Sequence, residues 1–561
     1  MKVKIIRTLP GTNNKERERL IYLCLEQGEK HYGRIIESYI SISKQAGYEE
    51  NIVDLYNGEG LYNIWLTYTL EEVAISILQD ICNGVEEVYI LKKAKELITN
   101  CWYKDIINWC DSANIPYINL DNDEIQLGYG IHSFKLSHND FLQRFYRDIA
   151  KLEDYCNSNN IGLIPIISVT GTNGKTTTVR LIYNILKGLG YHTGLSSTGG
   201  IYIGDRKIRN GDTTGFYSAR EVLKSPEVEV AVLETARGGI LKKGLGYKKS
   251  MATIITSLSE DHIGMSGIND IKDLARLKFT VCKELSKDGK LIMLALTVLY
   301  DSVDNKDNVC LFDIEKNLLM ENHIKHGGEA YYIEKNELVH CINREVERLG
   351  NIDNLPFTHG GISKSNIKNI MAAIASVSTI HSNITEIFNV IKNINCDLYT
   401  NPGRQNIISV DNYKVILDYG HNSEAFQEVF SIAAALNPSS ITGIIAAAGD
   451  RKNKYISQLG SMAARYCHRI FIREQADLRG RKPGESANLI KLGILEEGFN
   501  MDNVEEIYKE EEALLKAMKT AKDGEVIVLF TQCLDVIIPV INQYFMSKEL
   551  NPVAVDLDFS H

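Results

Sequence analysis

Apolar and polar positions fall into blocks along the chain, and the blocks predict its elements. Between residues 161 and 395 the short apolar runs IPIISVT, VEVAVLE and MATIITSL are separated by stretches of helical period. Runs of that length suit strands buried on both faces, and their alternation with helices predicts a parallel sheet covered on both sides. From about residue 396 a second α/β pattern begins, with strands YKVILDY, ITGIIAAAG, RIFIRE and EVIVLF. Residues 1–160 mix short strands and helices, an α+β pattern without a glycine-rich loop. One helix there is predicted in detail. Thr69 and Glu72 read as a capping box, with Leu70, Val73, Ala74, Ile77, Leu78 and Ile81 on one apolar stripe. Residues 305–355 are more polar and read as a peripheral insertion or small subdomain. CDLYTNPGR, with its Pro and Gly, reads as a hinge. The expected domains are therefore 1–160, 161–395 and 396–561.

Composition narrows the partners. At about 150 residues per domain, 561 residues give three or four domains. Hydrophobic residues make up 44% and charged residues 24%, the balance of a soluble chain with a full core. The net charge of −10 repels nucleic acid and anionic membranes, so neither is an expected partner, and an anionic substrate must be met by local basic clusters. No apolar run approaches the roughly 20 residues of a membrane span. The start, MKVKIIRTLPGTNNKERERL, turns charged too soon for a signal peptide. Eleven cysteines without a CxxC pair indicate neither a zinc knuckle nor a disulfide framework, and fit buried thiols in a reducing cytoplasm.

The candidate chemistry centres on SVTGTNGKTTTVR, residues 168–180. An apolar strand, Ile164–Val169, leads into a turn of Gly171, Thr172, Asn173 and Gly174. A helix follows, carrying Val179, Leu181, Ile182, Ile185, Leu186 and Leu189 and ending at Gly190. Its N-terminus, at Lys175, Thr176 and Thr177, offers backbone N–H groups and a dipole to an anion. Lys175 would reach terminal phosphates and the Thr176 hydroxyl would meet Mg²⁺. The common phosphate loop has five steps between its glycines, whereas Gly171 and Gly174 are three apart, and an ordinary strand–turn–helix connection can carry GKT by chance. Two further strand ends bear on the choice. VEVAVLETARGG ends a strand at Glu234, and MATIITSLSEDHIG ends one near Asp261 and His262. Taken singly, Glu234 reads first as a salt-bridge partner and His262 as a hydrogen-bonded loop histidine. Three successive strand ends, each with a phosphate or metal group, point to the carboxyl edge of a nucleotide-binding sheet.

GTNGKTT, the strand ending in Glu234 and the Asp261–His262 pair resemble the Mur ligase family, of which the short-spaced loop is a signature. The resemblance runs over residues 161–561 and implies a central P-loop parallel-sheet ATPase domain followed by a Rossmann-like α/β domain. It implies that Lys278 is the lysine carbamylated by CO₂, and that Asn366 and Asn369 face the adenine, although Ser365 stands where the family has histidine. From NPGR and DYGHN it implies that Arg404 meets the nucleotide and Asp418 the ribose. STGGIYIGDRKIRNGDTTG, LETARGGILKKGLG and EQADLRGRKPGE resemble the Mur-ligase-like half of cyanophycin synthetases, and residues 1–90 faintly resemble their N-terminal domain. About 160 residues precede the loop, too few for the additional ATP-grasp module, so the chain is not expected to make cyanophycin alone. Gly199 replaces an aspartate typical of those enzymes.

The resemblance implies an ATP-dependent ligase. An acceptor carboxylate takes the γ-phosphate of ATP, and an amino acid amine then displaces phosphate to form an amide. Thr176 and Glu234 would hold one Mg²⁺, and His262 and the Lys278 carbamate a second. Arg237, Asp450, Arg451, Arg479 and Arg481 are the candidate substrate groups. A guanidinium of ADLRGRKPGE would grip a carboxylate in bidentate fashion, and Glu485 or Asp477 would meet a cationic side chain. The implied partners are a small-molecule or peptide acceptor and an amino acid, a basic one on an aspartyl acceptor, and a homo-oligomer is compatible with the resemblance. A catalytically silent ATP-binding scaffold is the alternative.

Overall fold

The computed structural model describes residues 2–26, 31–58, 60–120, 123–259, 268–548 and 550–553. The first of its sheets is antiparallel, in the order Lys2–Leu9, Leu20–Glu26, Leu61–Thr67, Ile52–Gly58. Helices Tyr32–Ala46, Glu71–Cys82 and Glu87–Asn100 cover it, and a small sheet, Tyr117–Asn119, Glu124–Leu127 and Phe134–Ser137, adds Ile125, Leu127 and Leu136 to the same core. In the helix Glu71–Cys82, Val73, Ala74, Ile77 and Leu78 are buried as their spacing predicts, but the capping box is absent. The helix begins one residue later, with Leu70 as its cap, because the Thr69 hydroxyl and N–H both bond to the buried Glu50 carboxylate.

The central sheet has eleven strands. Its parallel section runs Thr193–Ser197, Val230–Glu234, Ile166–Thr170, Ser250–Ile255, Leu285–Leu294, Val309–Phe312 and Glu329–Glu334. Alternate side chains of each strand go to opposite faces. Ile167, Val169, Val232 and Ile254 pack under the helices Lys175–Gly188, Lys364–Val377 and Ile384–Ile391. Ile166, Ala231 and Leu233 pack on the other side with helix Phe216–Lys224 and with Ile118 and Tyr129 of the N-terminal part. Residues 305–355 are not a peripheral subdomain. They supply Val309–Phe312, Glu329–Glu334 and the antiparallel Glu337–Ile342 and Glu345–Asn351, which extend this sheet to its edge. The outermost strand is largely exposed, which is why its sequence looks polar and irregular.

The third sheet, Asn406–Val410, Tyr413–Asp418, Val526–Phe530, Ile441–Ile445, Arg469–Ile472 and Val504–Glu506, is parallel except for its first hairpin and is packed on both faces. All eleven cysteines are free thiols and most are buried. Among the described residues no helix is long and apolar enough to cross a membrane.

Candidate functional site

The loop strand Ile166–Thr170 lies between Val230–Glu234 and Ser250–Ile255. The chain first turns to one side of it, to Thr193–Ser197 and Val230–Glu234, and then crosses to the other. Ligands of open α/β sheets sit at the carboxyl edge where connections diverge in this way. The strand starts at Ile166, one residue after Pro165, which has no N–H to give the ladder.

The turn that follows depends on its two glycines. At Gly171, φ is +154°, and a Cβ would lie 1.9 Å from Thr256 Oγ1; at Gly174, φ is +84°, and a Cβ would lie 2.7 Å from Asn369 Oδ1. The exit of the neighbouring strand clamps the turn. Thr172 N–H donates to the Ser257 carbonyl (3.1 Å), Asn173 N–H to Ser257 Oγ (2.7 Å), and Thr256 Oγ1 to the Asn173 carbonyl (2.6 Å). Helix Lys175–Gly188 starts directly after Gly174, so its first N–H groups, which have no intrahelical acceptor, open at the turn. The helix ends at Gly188, two residues before the predicted Gly190, which takes a left-handed φ of +91°. The Lys175 ammonium donates to the Thr172 carbonyl at 2.9 Å, which places its charge on the turn.

Glu234 comes to this turn from the next strand. Its carboxylate is buried, and Oε1 accepts the Thr176 hydroxyl at 3.0 Å. Thr198, at the end of the strand Thr193–Ser197, completes the arrangement, its hydroxyl donating to Oε1 (3.0 Å) and its N–H to Oε2 (2.9 Å). A hydroxyl and a carboxylate oxygen meeting at this distance are the donor types that a hard cation takes. Asp261 and His262 lie outside the described residues. Lys278 is the last residue of helix Ile271–Lys278 and is buried, and a 3₁₀ turn, Phe279–Glu284, follows it directly. Among the described residues no cluster of three or more His, Cys, Asp or Glu side chains forms a metal cage. The fit for Mg²⁺ therefore rests on Thr176 and Glu234, and this ion commonly fills its shell with water and substrate phosphates.

The third sheet closes on the turn through side chains. Asn173 Nδ2 donates to Glu424 Oε2 (3.0 Å), and Asn422 Nδ2 donates to Asn173 Oδ1 (2.9 Å). Gln405 bridges the same two parts, accepting from Ser363 Oγ (2.7 Å) and from Asn366 Nδ2 (3.0 Å) and donating to Ser365 Oγ (2.9 Å). Asn366 and Asn369 are both buried, and their amides bond within the chain. Asn366 also donates to the Phe357 carbonyl (2.9 Å), while Asn369 donates to Asn366 (3.2 Å) and accepts from Thr178 (3.2 Å).

Arg404 stacks on Tyr419, with 4.0 Å between the guanidinium carbon and the ring centre. Burial lowers its pKa, against the pull of Asp418 and Tyr419. Asp418, at the end of the strand Tyr413–Asp418, accepts the N–H groups of Gln405 (2.9 Å) and Gly420 (2.6 Å). Burial pushes its carboxyl up to about 6, opposed by Arg404 and these two N–H groups. Between about pH 4 and 6 the folded chain thus keeps a proton that the unfolded chain releases. This group's contribution to stability is present below pH 4 and falls as pH rises to 6. Asp418→Asn removes that slope and adds a pH-independent cost, since its NH₂ must face one of two N–H donors. Urea unfolding at pH 4, 5 and 6 is expected to show the variant gaining on the native chain by about 1–3 kcal/mol across the window; parallel curves would refute the assignment.

The candidate substrate groups gather in part. Arg237 opens helix Arg237–Lys243, just past Glu234. Asp450 and Arg479 form an ion pair at 3.0 Å, and Asp477 accepts the Arg479 N–H at 2.9 Å. Arg481 does not present its fork to an incoming carboxylate. It donates to the Gly449 carbonyl (2.6 Å), Glu485 (2.6 Å), the Arg451 carbonyl (2.7 Å) and Asn453 (2.8 Å), and so pins two loops together. Arg451 lines a cavity of about 400 Å³ with Leu258, Ser259, Asn422, Glu424 and Lys454. Thr198, Ser257, Gln405 and Asn422 have no place among the residues predicted from sequence. A strand ending in Ser-Ser-Thr beside the loop strand is the one local signal for Thr198, and DYGHN contains Asn422.

Residues 169–377 match the Mur ligase middle domain and residues 403–533 the Mur ligase glutamate ligase domain. With both domains in order, the chain belongs to the Mur ligase family. It is 34% identical over 383 residues to cyanophycin synthetase of Crocosphaera subtropica, covering 68% of this chain and 44% of that protein. It is 24% identical over 379 residues to UDP-N-acetylmuramoyl-L-alanyl-D-glutamate--2,6-diaminopimelate ligase of Helicobacter pylori, covering 65% of this chain and 78% of that one. Among solved structures, E. coli FolC in complex with ADP aligns with a TM-score of 0.49 at 18% identity, over 69% of this chain and 90% of that chain. The chain spans less than half the length of the cyanophycin synthetases it matches.

Proposed function

We propose that the chain is an ATP-dependent, ADP-forming ligase that activates an acceptor carboxylate as an acyl phosphate and couples it to an amino acid amine. The observation that carries this reading is the meeting of Thr176 and Glu234 at 3.0 Å beside a glycine turn that opens the N-terminus of the Lys175 helix. Carboxylate and triphosphate repel each other, so bringing them together requires fixed positive charge. In this reading the turn N–H groups and Lys175 hold the phosphates. Thr176 and Glu234 hold Mg²⁺, which when bound neutralises phosphate charge. Arg404 meets the nucleotide, and Asp418 sets the geometry of the Arg404–Gln405 segment through the Gln405 N–H. The Asn173–Asn422–Glu424 bridge keeps the third sheet against the turn and limits the entry of water that would hydrolyse an acyl phosphate.

Lys278, as a carbamate formed with CO₂, and His262 are the proposed holders of a second ion. The likeness to cyanophycin synthetases favours an aspartyl acceptor and a basic amino acid, in the cytoplasm, where ATP and Mg²⁺ are supplied. The test is nucleotide analysis with acceptor and amine present. ADP and phosphate are the expected products, and AMP with pyrophosphate would sink the reading. In a second arm, Lys278→Ala is expected to lose activity and to regain part of it with added short carboxylates. Full activity without them would remove the carbamate from the account. A silent scaffold would bind ATP and release neither pair of products.

A further inference from the structure

A second polar cavity, of about 340 Å³, lies between the N-terminal sheet and the segment Leu245–Lys248 that leads into the strand Ser250–Ile255. The two parts meet there backbone to backbone. Leu245 N–H donates to the Thr12 carbonyl at 2.8 Å, and a Cβ on Gly11 would lie 1.9 Å from the Leu245 carbonyl oxygen. The cations in its wall differ in how they are compensated. Arg19 and Lys248 both pair with Asp111, at 2.8 and 3.0 Å. Arg220, from helix Phe216–Lys224, rests on the Phe216 ring at 4.2 Å, and its buried Nε has no hydrogen-bond partner among the described residues. Burial lowers its pKa, opposed by Tyr129, Tyr117 and Tyr68 ahead of Glu71. Tyr68 lines the same cavity and is only 5% exposed, and its hydroxyl is likewise buried without a partner among the described residues. Buried polar atoms are almost always partnered, so two orphaned ones on a single cavity mark the place of an absent acceptor.

The rim carries two exposed carboxylates beside one exposed cation, Arg17. Glu18 and Glu49 are exposed there, while Glu50 is already taken by Thr67 and Thr69. A ligand that fits both ends carries a carboxylate inward and a cation outward. We propose that this cavity binds a zwitterion of amino-acid or dipeptide size, its carboxylate on Arg220 and Tyr68 and its ammonium toward Glu18 and Glu49. A guanidinium fork suits a carboxylate, and its desolvated position strengthens the contact. The site is separate from the glycine turn, and occupancy requires no nucleotide. Tyr247, from its wall, links it toward the turn: its hydroxyl donates to Ser168 at 2.6 Å, and Ser168 lies 3.2 Å from the Thr235 hydroxyl, next to Glu234.

The experiment is titration calorimetry on the full chain without ATP. The probes are L-aspartate, L-arginine and glycylglycine, with acetate and ethylamine as half-ligands. At least one zwitterion is expected to bind, with both half-ligands about tenfold weaker or more. Arg220→Gln is expected to weaken that zwitterion by about tenfold or more and Tyr68→Phe by about threefold or more. The double variant Glu18→Gln/Glu49→Gln changes only exposed side chains and serves even where Arg220→Gln does not fold; it is expected to weaken binding by about threefold. No heat from any zwitterion at ~10 mM, or undiminished affinity in the double variant, would overturn the proposal. Product mass then distinguishes a zwitterion that is consumed from one that only binds, and either supports the site. A failure here leaves the ligase reading untouched, because no nucleotide enters the measurement.

Discussion

Lys175→Ala is expected to lower ATP turnover by on the order of 10²–10³-fold while the protein stays folded. The separation of the two effects follows from how the turn is built. Its shape is set by Gly171 and Gly174, by Thr256 and Ser257 across the strand, and by the Thr178 N–H on the Gly174 carbonyl at 2.8 Å. The Lys175 ammonium donates to the Thr172 carbonyl, a contact within the turn that its glycines already shape. Alanine is a good helix residue and leaves the start of the helix intact. What is lost is the Lys175 charge at the turn, which no backbone N–H replaces when a carboxylate must approach a triphosphate. Thermal unfolding is expected to move little, by about 1 kcal/mol or less. Turnover within threefold of the native chain would mean that the phosphates bind elsewhere.

Glu234→Gln carries the second largest expected effect, and its signature is different. Glutamine keeps one oxygen for the hydroxyls of Thr176 and Thr198 but presents NH₂ where Oε2 accepts the Thr198 N–H. The loss of charge at this point is expected to raise the Mg²⁺ concentration for half-maximal turnover by about tenfold or more and to lower the maximum by on the order of 10²-fold. The facing donors cost about 1–3 kcal/mol of stability. A Mg²⁺ titration of phosphate release reads the first effect, and urea unfolding reads the second. An unchanged Mg²⁺ requirement would reduce Glu234 to a buried hydrogen-bond acceptor for Thr198.

That these two residues lie close to one turn was legible in the sequence. Glu234 ends an apolar run where a buried strand must emerge and turn, and Lys175 follows the glycine turn that leaves the end of another, Ile166–Thr170. Thr198, Ser257 and Asn422 were not legible, because their roles come from strand order and domain contact rather than from local pattern. Thr198 reaches Glu234 only because the strand Val230–Glu234 inserts between Thr193–Ser197 and Ile166–Thr170. Thr69 shows the same limit from the other side: its helix-cap pattern is overridden by Glu50, nineteen positions away in sequence. Residues 305–355 misled because the outermost strand, Glu345–Asn351, is largely exposed and lacks the continuous apolar signal of central ones. Arg481 misled through composition. A basic loop reads as a carboxylate grip, yet its fork is filled by Gly449, Arg451, Asn453 and Glu485.

The proposed activity is amide-bond formation driven by ATP at the Lys175 turn. Its most direct test is phosphate release with ATP and Mg²⁺ across all amino acids, each paired with aspartate, aspartyl peptides and short polyaspartate, with mass spectrometry of every active mixture. The expected result is release that requires one acceptor and one amino acid together, and a product whose mass is their sum less water. Phosphate release without any joined product, or silence across the panel in protein that binds ATP, would contradict it and leave an ATP-binding scaffold in its place.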